Sequence, residues 1–203
     1  MSTTIYLIRH GQSKANEKEV FAGFYNIELT QKGKDQAKLT ANFLKEIKPD
    51  YIYSSDLIRA YETATFTAGN YGMEIIADQQ LREMDAGEWD GLTLTEIKNK
   101  YEKEFYLWRD DIGNAYCHGG ETTRQVQERL VKKVTEIAEK HKDKIIFIFS
   151  HATAIRTFSA YCKGLNFDQM KDLPWPTNAS VTKVKFEDNK FELLEYSIDN
   201  FLV

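Results

Sequence analysis

The strongest constraint on the fold is an alternation of short apolar runs with helical patterns along the 203-residue chain. The most pronounced run is KIIFIF at 144–149, and the run at 5–8 is rich in β-branched residues and ends abruptly at Arg9. Runs of about 4 to 8 apolar residues are typical of strands buried on both faces of a sheet. Together with a shorter run at 51–53 and a weaker one at 75–76, they predict four buried strands.

Apolar positions at helical spacing follow these runs. A helix is predicted from Thr30, an N-cap candidate, until Pro49 stops the pattern, and another over 58–69, with the SSD sequence at 54–56 offering its caps. Further helices are predicted over 92–108, over 122–141 and after 151 as far as Gly164. Near the C-terminus, 181–186 and 191–196 flank a polar turn and predict a β-hairpin.

Strands that alternate with helices predict the α/β class, because parallel strands are joined by crossover helices. We therefore expect a three-layer α/β/α sandwich around a mainly parallel central sheet, with the ligand site at the carboxyl ends of the strands. A chain of this size buries about 70% of its unfolded surface, which suffices for one core and hardly for two. A single domain is predicted.

The charge balance narrows the classes of partner. Lys and Arg number 27 against 31 Asp and Glu, a net charge of −4, and the sequence has no dense basic run. A nucleic acid or an anionic membrane surface is therefore not expected as a partner. The N-terminal residues carry no signal-peptide pattern, and Cys117 and Cys162 form no C-x-x-C pair, so we expect a cytoplasmic protein with reduced thiols.

Two arginines and two histidines fall at the predicted carboxyl edge of the sheet. Arg9-His10 follows the first strand, Arg59 opens the helix after the second, and His151 follows the strongest strand. If those strands are neighbours, the four side chains converge beside helix N-termini, whose free N–H groups favour an anion. Arginine offers a fork of donors that matches phosphate oxygens, and a neutral imidazole nitrogen can attack phosphorus. This edge is therefore predicted to be a phosphate pocket.

Six segments carry a more specific pattern. They are LIRHGQSKAN (7–16), FAGF with LT and a glycine (21–33), SSDLIRAYETA (54–64), LRE followed by GEWDG (81–91), GGET (119–122) and SH (150–151). In this order they resemble the R-H-G-x-[ST]-x-x-N, F-x-G-W, S-x-L-x-R-A-x-x-T-A, L-x-E, G-G-E-S and S-H-G segments of the histidine phosphatase superfamily, the phosphoglycerate mutase-like proteins. A lone R-H-G would be weak, but six ordered segments from residue 5 to about 156 are specific.

The resemblance implies a phosphoglycerate mutase-like fold with a small helical cap, in one histidine phosphatase domain over 1–203 with the cap at roughly 84–118. It implies that His10 is the nucleophile that becomes phosphohistidine and that Glu83 is the proton donor. Arg9, Arg59 and His151 are implied to form the phosphate clamp. Contacts to the phosphate or other oxygens of the substrate are expected from Gly11, Gln12, Ser13, Asn16, Ala22, Gly23 and Ala152.

The chemistry of phosphoryl transfer suits these residue types. The transferred group spreads negative charge over its equatorial oxygens, so positioned cations stabilise it, and a carboxylic acid can protonate the departing alkoxide. No metal and no cofactor are expected. A zinc site on His10 and His151 would need further ligands and would set the cation against Arg9 and Arg59. A nucleotide-binding fold has no fingerprint, because neither glycine-rich phosphate motif occurs.

Three activities remain open: a phosphomonoesterase, a cofactor-dependent phosphoglycerate mutase, and a non-catalytic relative that binds a phospholigand or a protein. All residues with implied catalytic roles are present, which disfavours the third. A mutase must hold a diphosphorylated intermediate, which needs further basic residues over the site. The mutases of this family follow the acid with an E-R-H-Y-G-type run and a longer basic insertion, whereas 83–88 here is the acidic EMDAGE.

We therefore expect metal-independent hydrolysis of a small phosphorylated metabolite. The G-x-W-x-G run and the compact length are similar to those of bacterial broad-specificity phosphatases and alpha-ribazole phosphatases. The oligomeric state stays open, with a homodimer as one option. Core or lid packing, rather than stacking on substrate, is expected of Trp89, Trp108, Tyr116 and Trp175. His141 is expected at a helix end, where a cation suits the dipole.

Overall fold

A six-stranded mixed sheet forms the centre of the computed structural model, which describes residues 2–202. Its strands are β1 (Ser2–Arg9), β2 (Tyr51–Ser54), β3 (Ile75–Ala77), β4 (Ile145–Ser150), β5 (Val181–Glu187) and β6 (Lys190–Ile198). In the order β3-β2-β4-β1-β5-β6, the first four run parallel, while β5 and β6 are antiparallel to their preceding neighbours. The predicted strands, the hairpin and the mainly parallel sheet are confirmed.

Helices cover both faces of this sheet. Seven α-helices lie within 2–202: α1 (Lys14–Glu17), α2 (Gln31–Leu44), α3 (Ile58–Tyr71), α4 (Leu94–Lys100), α5 (Glu102–Asp110), α6 (Thr123–Lys140) and α7 (Ala152–Cys162). α6 and α7 pack on the face that carries Ile5 and Leu7 of β1, and α2 and α3 pack on the face that carries Tyr6 and Ile8. Because alternate strand residues enter opposite layers, one short run contributes to both cores. The predicted three-layer α/β/α sandwich is confirmed.

The helix predicted over 92–108 is two helices. α4 begins with a capping box, in which Thr93 and Glu96 bond each other's backbone and side chain. It ends at Tyr101, whose φ of −132° and ψ of 51° lie outside the helical region. The ring of Tyr101 packs near Trp89, 6.3 Å between centroids, and its hydroxyl donates to Glu88 over 2.5 Å. Tertiary packing of one aromatic side chain thus breaks a continuous helical pattern.

The cap expected for α3 is also different. Its N-cap residue is Leu57, which offers no side-chain oxygen, and the amide of Ile58 donates instead to Oδ1 of Asn26, 2.7 Å away. The SSD residues do not reach the helical amides: Ser55 bonds His151 and accepts from the amide of Leu57 before the helix, and Asp56 holds Arg82 in an ion pair. The prediction that 54–56 caps this helix is therefore wrong, because a distant asparagine fills that role.

His141 lies at the end of α6, as predicted, although not as a solvated cation. Its ring stacks on Tyr51 with 3.7 Å between centroids, and its Nε2 lies 2.8 Å from the hydroxyl of Tyr53. Burial lowers the pKa of this imidazole, which favours the neutral form. The residue therefore acts as a packing group at the base of the sheet rather than as a charge on the helix dipole.

The segment 84–118, expected to form a cap, holds α4 and α5 and lies over the carboxyl edge of the sheet. Leu94 at the start of α4 and Trp108 in α5 both line the cavity described below. Trp89 of the same segment is fully buried in the core. Within residues 2–202, no helix combines the length and apolar character needed to cross a membrane.

Two glycines allow the loop after β1 to contact the start of α2. A Cβ built on Gly33 would lie 2.0 Å from the carbonyl oxygen of Gln12, and one on Gly11 would lie 2.3 Å from the carbonyl oxygen of Gly33. Both distances are far inside van der Waals contact, and both neighbours are backbone atoms. The loop that follows His10 can therefore approach α2 only if neither position carries a side chain.

We predict that Gly33→Ala lowers the free energy of unfolding by about 1–3 kcal/mol or more, because overpacking must displace the backbone. The matched control is Gly69→Ala in α3, where a Cβ meets no heavy atom of residues 2–202 within 4 Å. That change is expected to stabilise the protein by up to about 1 kcal/mol through helix propensity. Urea unfolding followed by circular dichroism measures both. A Gly33→Ala variant as stable as the parent chain would contradict the prediction.

Candidate active site

The candidate site lies at the carboxyl edge of the parallel strands. β1 ends at Arg9, which pairs in register with Ser150 at the end of β4, and the next residues are His10 and His151. The two imidazole rings meet edge to face, 5.2 Å between centroids. A cavity of about 300 Å³ opens here, lined by Arg9, His10, Arg59 and Glu83 among others. The predicted convergence of the four basic residues is present.

His10 is almost fully buried, and both ring nitrogens have partners. Nδ1 lies 2.7 Å from the carbonyl oxygen of Gly11, and because a carbonyl only accepts, Nδ1 carries the proton. Nε2 is therefore the bare nitrogen, and it accepts from Nε of Arg59 at 3.3 Å. Burial, then Arg59, then Arg9 hold the pKa of His10 well below its ordinary value. The ring is thus neutral at physiological pH, with a lone pair on the nitrogen beside the clamp.

Arg59 is locked into place by backbone oxygens. Its Nη1 donates to Tyr25 over 3.0 Å, and its Nη2 donates to the carbonyls of Ala22 and Gly23 over 2.9 and 2.8 Å. Burial lowers its pKa to about 10, and the carboxylate of Glu83 opposes that shift. The guanidinium is therefore still a cation near neutral pH. Nε, which now bonds His10, faces the position that a phosphate would take.

Arg9, like Arg59, is buried and donates to a backbone carbonyl. Its Nη1 donates to the carbonyl oxygen of Pro176 over 2.5 Å, while its buried Nε has no hydrogen-bond partner among residues 2–202. Burial lowers its pKa to about 10, again opposed by Glu83. A buried cationic donor without an acceptor is costly. An anion in the cavity would remove that cost.

His151 is fully buried with one nitrogen engaged. Nε2 lies 2.8 Å from the hydroxyl of Ser55, and within the described chain Nδ1 has no partner. Burial, followed by the charge of Arg59, holds the pKa of this imidazole well below its ordinary value. His151 is therefore a neutral group with one free nitrogen, suited to donate a hydrogen bond to a ligand when that nitrogen carries the proton.

The Glu83 carboxylate lies at the N-terminus of α7. Its Oε1 accepts from the amides of Met84 and Ala154 at 2.9 and 3.2 Å, and its Oε2 accepts from Thr153 at 3.1 Å. These free helix N–H groups favour an anion at this position. The side chain is only 7% exposed, and it borders the cavity with His10. Its place on the same cavity as His10 suits a group that exchanges a proton with substrate.

The seven expected substrate contacts fall into two groups. Those that line the cavity are Ser13, Asn16, Ala22 and Ala152. The other three do not line it: the Gly11 carbonyl holds His10, the Gly23 carbonyl holds Arg59, and the Gln12 side chain accepts from Thr30 at 2.9 Å. Gln12 instead borders a neighbouring groove shared with Arg9. Roles in substrate binding therefore stay predictions for all seven.

Sequence reasoning missed the supports that come from far along the chain. Asn178 donates from its side chain to the His10 carbonyl over 3.1 Å, and the amide of Ala179 donates to the same oxygen over 3.1 Å. The hydroxyl of Thr63 accepts from the Gly11 amide at 3.1 Å. Thr63 lies within the SSDLIRAYETA segment, which could have indicated it. Nothing local in the sequence marks 178–179.

The cavity wall beyond the phosphate end is mostly apolar. Its side chains include Val20, Phe21, Leu94, Trp108 and Trp175. The rings of the last two are 5.6 Å apart, and Phe21 meets Trp108 edge to face at 5.4 Å. Trp89 packs in the core as expected, whereas these two tryptophans form the wall of the site. The arginine charges that could contact a phosphate therefore lie at one end of the cavity.

Comparison with known proteins agrees with this geometry. The profile of the histidine phosphatase superfamily, branch 1, matches residues 5–199. Phosphoserine phosphatase 1 of Hydrogenobacter thermophilus is 30% identical over 96% of this chain and 92% of its own. The structure of a mycobacterial glucosyl-3-phosphoglycerate phosphatase with VO3 superposes with a TM-score of 0.89 at 29% identity, covering 96% and 98% of the two chains.

A 2,3-bisphosphoglycerate-dependent phosphoglycerate mutase of Brucella ovis is 31% identical over 84% of this chain and 86% of its own. The family thus includes relatives of both names at similar identity. The chain belongs to the histidine phosphatase superfamily. Within it, the phosphatase-named relatives identify a phosphoric monoester hydrolase.

The buried neutral histidines predict a pH dependence of stability. The folded-state pKa values of His10 and His151 are lowered, so below about pH 6.5 the unfolded chain binds protons that the folded chain does not. Stability is therefore expected to fall on acidification by up to about 1.4 kcal/mol per pH unit for each histidine. Urea unfolding at pH 7.5, 6.0 and 5.0 measures the slope. His151→Asn removes one of these titrating groups, so the slope of stability against pH should become shallower by the contribution of one proton. A parent chain that is more stable at pH 5.0 than at pH 7.5 would contradict this account.

Proposed function

We propose that this chain hydrolyses phosphomonoesters in two displacements through a phosphohistidine on Nε2 of His10. The observation that carries the proposal is the state of that imidazole: it is neutral, Nδ1–H donates to the Gly11 carbonyl, and Nε2 accepts from buried Arg59, with the charge of Arg9 also acting on the ring. A nucleophile must present a lone pair to phosphorus, and the hydrogen bond at Nδ1 selects the tautomer that does so. The family membership supports the same chemistry.

In the first step the Nε2 lone pair forms the N–P bond while the bond from phosphorus to the ester oxygen breaks. Glu83 gives a proton to the departing oxygen in this step. In the second step a water forms the new P–O bond, the N–P bond breaks, and the Glu83 carboxylate takes the proton from water. Inorganic phosphate leaves, and His10 and Glu83 return to their starting states.

Arg9, Arg59 and His151 are proposed to stabilise the phosphoryl group in both steps. The two guanidinium groups are charged and already fixed by the carbonyls of Pro176, Ala22 and Gly23, so little reorganisation is needed when charge develops. Nε of Arg9 and Nδ1 of His151 are buried donors without acceptors within 2–202, and equatorial phosphoryl oxygens would satisfy them.

The cavity wall favours a substrate with a single phosphate. Of the described residues that border the cavity, Arg9 and Arg59 alone carry a positive charge, since His10 is neutral; both lie at the phosphate end, whereas Glu19 adds a negative charge to the rim. A diphosphorylated intermediate would need cations at a second position. We therefore propose a small monophosphorylated metabolite as substrate, in line with the phosphatase relatives, rather than a mutase reaction.

A cytoplasmic location fits Cys117 and Cys162, both free thiols.

The nucleophile is tested with His10→Ala. We expect loss of phosphate release by at least about 1000-fold and loss of acid-labile phosphoenzyme labelling, because the covalent route is removed. Phosphate release and formation of 2-phosphoglycerate from 3-phosphoglycerate are measured in parallel, each with and without EDTA. Substantial residual turnover in the variant would refute the nucleophile, full loss of activity in EDTA would refute metal independence, and a dominant 2-phosphoglycerate product would favour the mutase.

The proton donor is tested with Glu83→Gln. Its kcat for an alkyl phosphate is expected to fall about 100-fold or more, because alkoxide is a poor leaving group without a proton. For p-nitrophenyl phosphate the loss is expected to be much smaller, since p-nitrophenolate departs unprotonated. Initial rates on both esters give the ratio, and inorganic phosphate inhibition of the variant reports on the clamp. Equal losses on the two esters would argue against Glu83 as the acid.

A further inference from the structure

The GGET segment at 119–122 belongs to the pattern of the sequence, yet it does not border the cavity. Its Glu121 forms a two-point ion pair with Arg129 of α6, with Nε to Oε1 at 2.9 Å and Nη2 to Oε2 at 2.7 Å. The side chains are only 13% and 20% exposed. A fork-to-fork pair of this kind has one well-defined geometry, so it can hold other groups in place.

The remaining N–H groups of Arg129 donate to backbone carbonyls in the segment that carries Glu83. Nη1 donates to the carbonyls of Gln80 and Arg82 over 2.8 and 3.1 Å, and Nη2 donates to the carbonyl of Glu83 itself over 3.1 Å. One guanidinium therefore fixes three of four consecutive carbonyls. The fourth, at Leu81, accepts from the hydroxyl of Ser150 at 2.8 Å.

Glu121 fixes the chain just after Glu83. Its Oε2 accepts from the amide of Asp85 at 2.9 Å, and its own amide donates to the Asp85 carbonyl over 2.9 Å. The preceding Gly120 allows this approach, because a Cβ there would lie 2.2 Å from the same carbonyl oxygen. The ion pair thus holds the backbone on both sides of the Glu83 side chain. This explains why the GGET segment has a glycine at 120 and a glutamate at 121.

We propose that Glu121 and Arg129 are positioning residues for the proton donor Glu83; the proposal rests on the acid role proposed above. Neither touches the reacting atoms. Together they set the backbone from which the carboxyl reaches the leaving oxygen, while the amides of Thr153 and Ala154 orient the carboxyl itself. Proton transfer requires hydrogen-bond distance, and a misplacement of about 1 Å can cost about 100-fold in rate.

The test compares Arg129→Lys and Glu121→Gln with the parent chain. Lysine keeps the charge without the fork, and glutamine keeps the shape and one acceptor without the charge. The matched control is Lys133→Gln, one turn further along α6, which removes a 2.8 Å ion pair to Asp78. Kinetics on glycerol 2-phosphate and p-nitrophenyl phosphate give the leaving-group ratio. Inhibition by inorganic phosphate reports on the clamp, and thermal unfolding reports on the fold.

We expect both variants to lose about 10- to 100-fold in kcat on glycerol 2-phosphate and less than about 3-fold on p-nitrophenyl phosphate, with phosphate inhibition unchanged. The control should keep the parental ratio of rates on the two esters. In the double variant with Glu83→Gln, no further loss on the alkyl ester is expected, because the group being positioned is already absent.

Three results would overturn the proposal. Suppose that Glu83→Gln loses activity selectively on the alkyl ester. If the Arg129 and Glu121 variants then keep full activity, or lose activity equally on both esters, the ion pair does not act through the acid. A full additional loss in the double variants would lead to the same conclusion. If Glu83→Gln itself shows no leaving-group selectivity, the acid role fails first, and the positioning proposal fails with it.

Discussion

Two guanidinium groups, Arg9 and Arg59, are buried beside one another in a cavity where Glu83 is the carboxylate that opposes the desolvation of both. Burying like charges is unfavourable, and the fold compensates with backbone carbonyls aimed at Arg59 and with the Glu83 charge. Burial, together with the same excess of positive charge, lowers the pKa of His10 and keeps the ring neutral. The residues proposed as nucleophile, clamp and acid therefore depend on one electrostatic arrangement, which a bound phosphoryl group would complete.

The specificity of the site lies outside this arrangement. Leu94 and Trp108 come from the segment 84–118, and Trp175 comes from the chain between α7 and β5. The Arg156 guanidinium lies 4.3 Å from the centre of the Trp175 ring, and its Nε donates to Leu173, so it holds this loop beside the cavity. Relatives at similar identity are named as phosphatases and as mutases.

Much of this could be predicted from sequence because parallel strands bring their carboxyl ends together. Once 5–8, 51–53 and 144–149 are strands, His10 and His151 must meet at one edge, as must Arg59 at the start of α3. What could not be predicted depends on distant partners. The helix break at Tyr101 follows from packing on Trp89, and the α3 cap comes from Asn26. Local patterns of charge and hydrophobicity carry no record of such contacts.

The carbonyl oxygen of His10 is held by Asn178 and Ala179, and the first of these contacts spans 168 residues. Chains emerge from the ribosome N-terminus first, and contacts of large sequence separation form late. A nascent chain that ends after α7 already contains all five residues proposed for catalysis, yet the support behind its nucleophile is missing. Completion of the proposed site therefore requires that the segment leading into the C-terminal hairpin dock beside the end of β1.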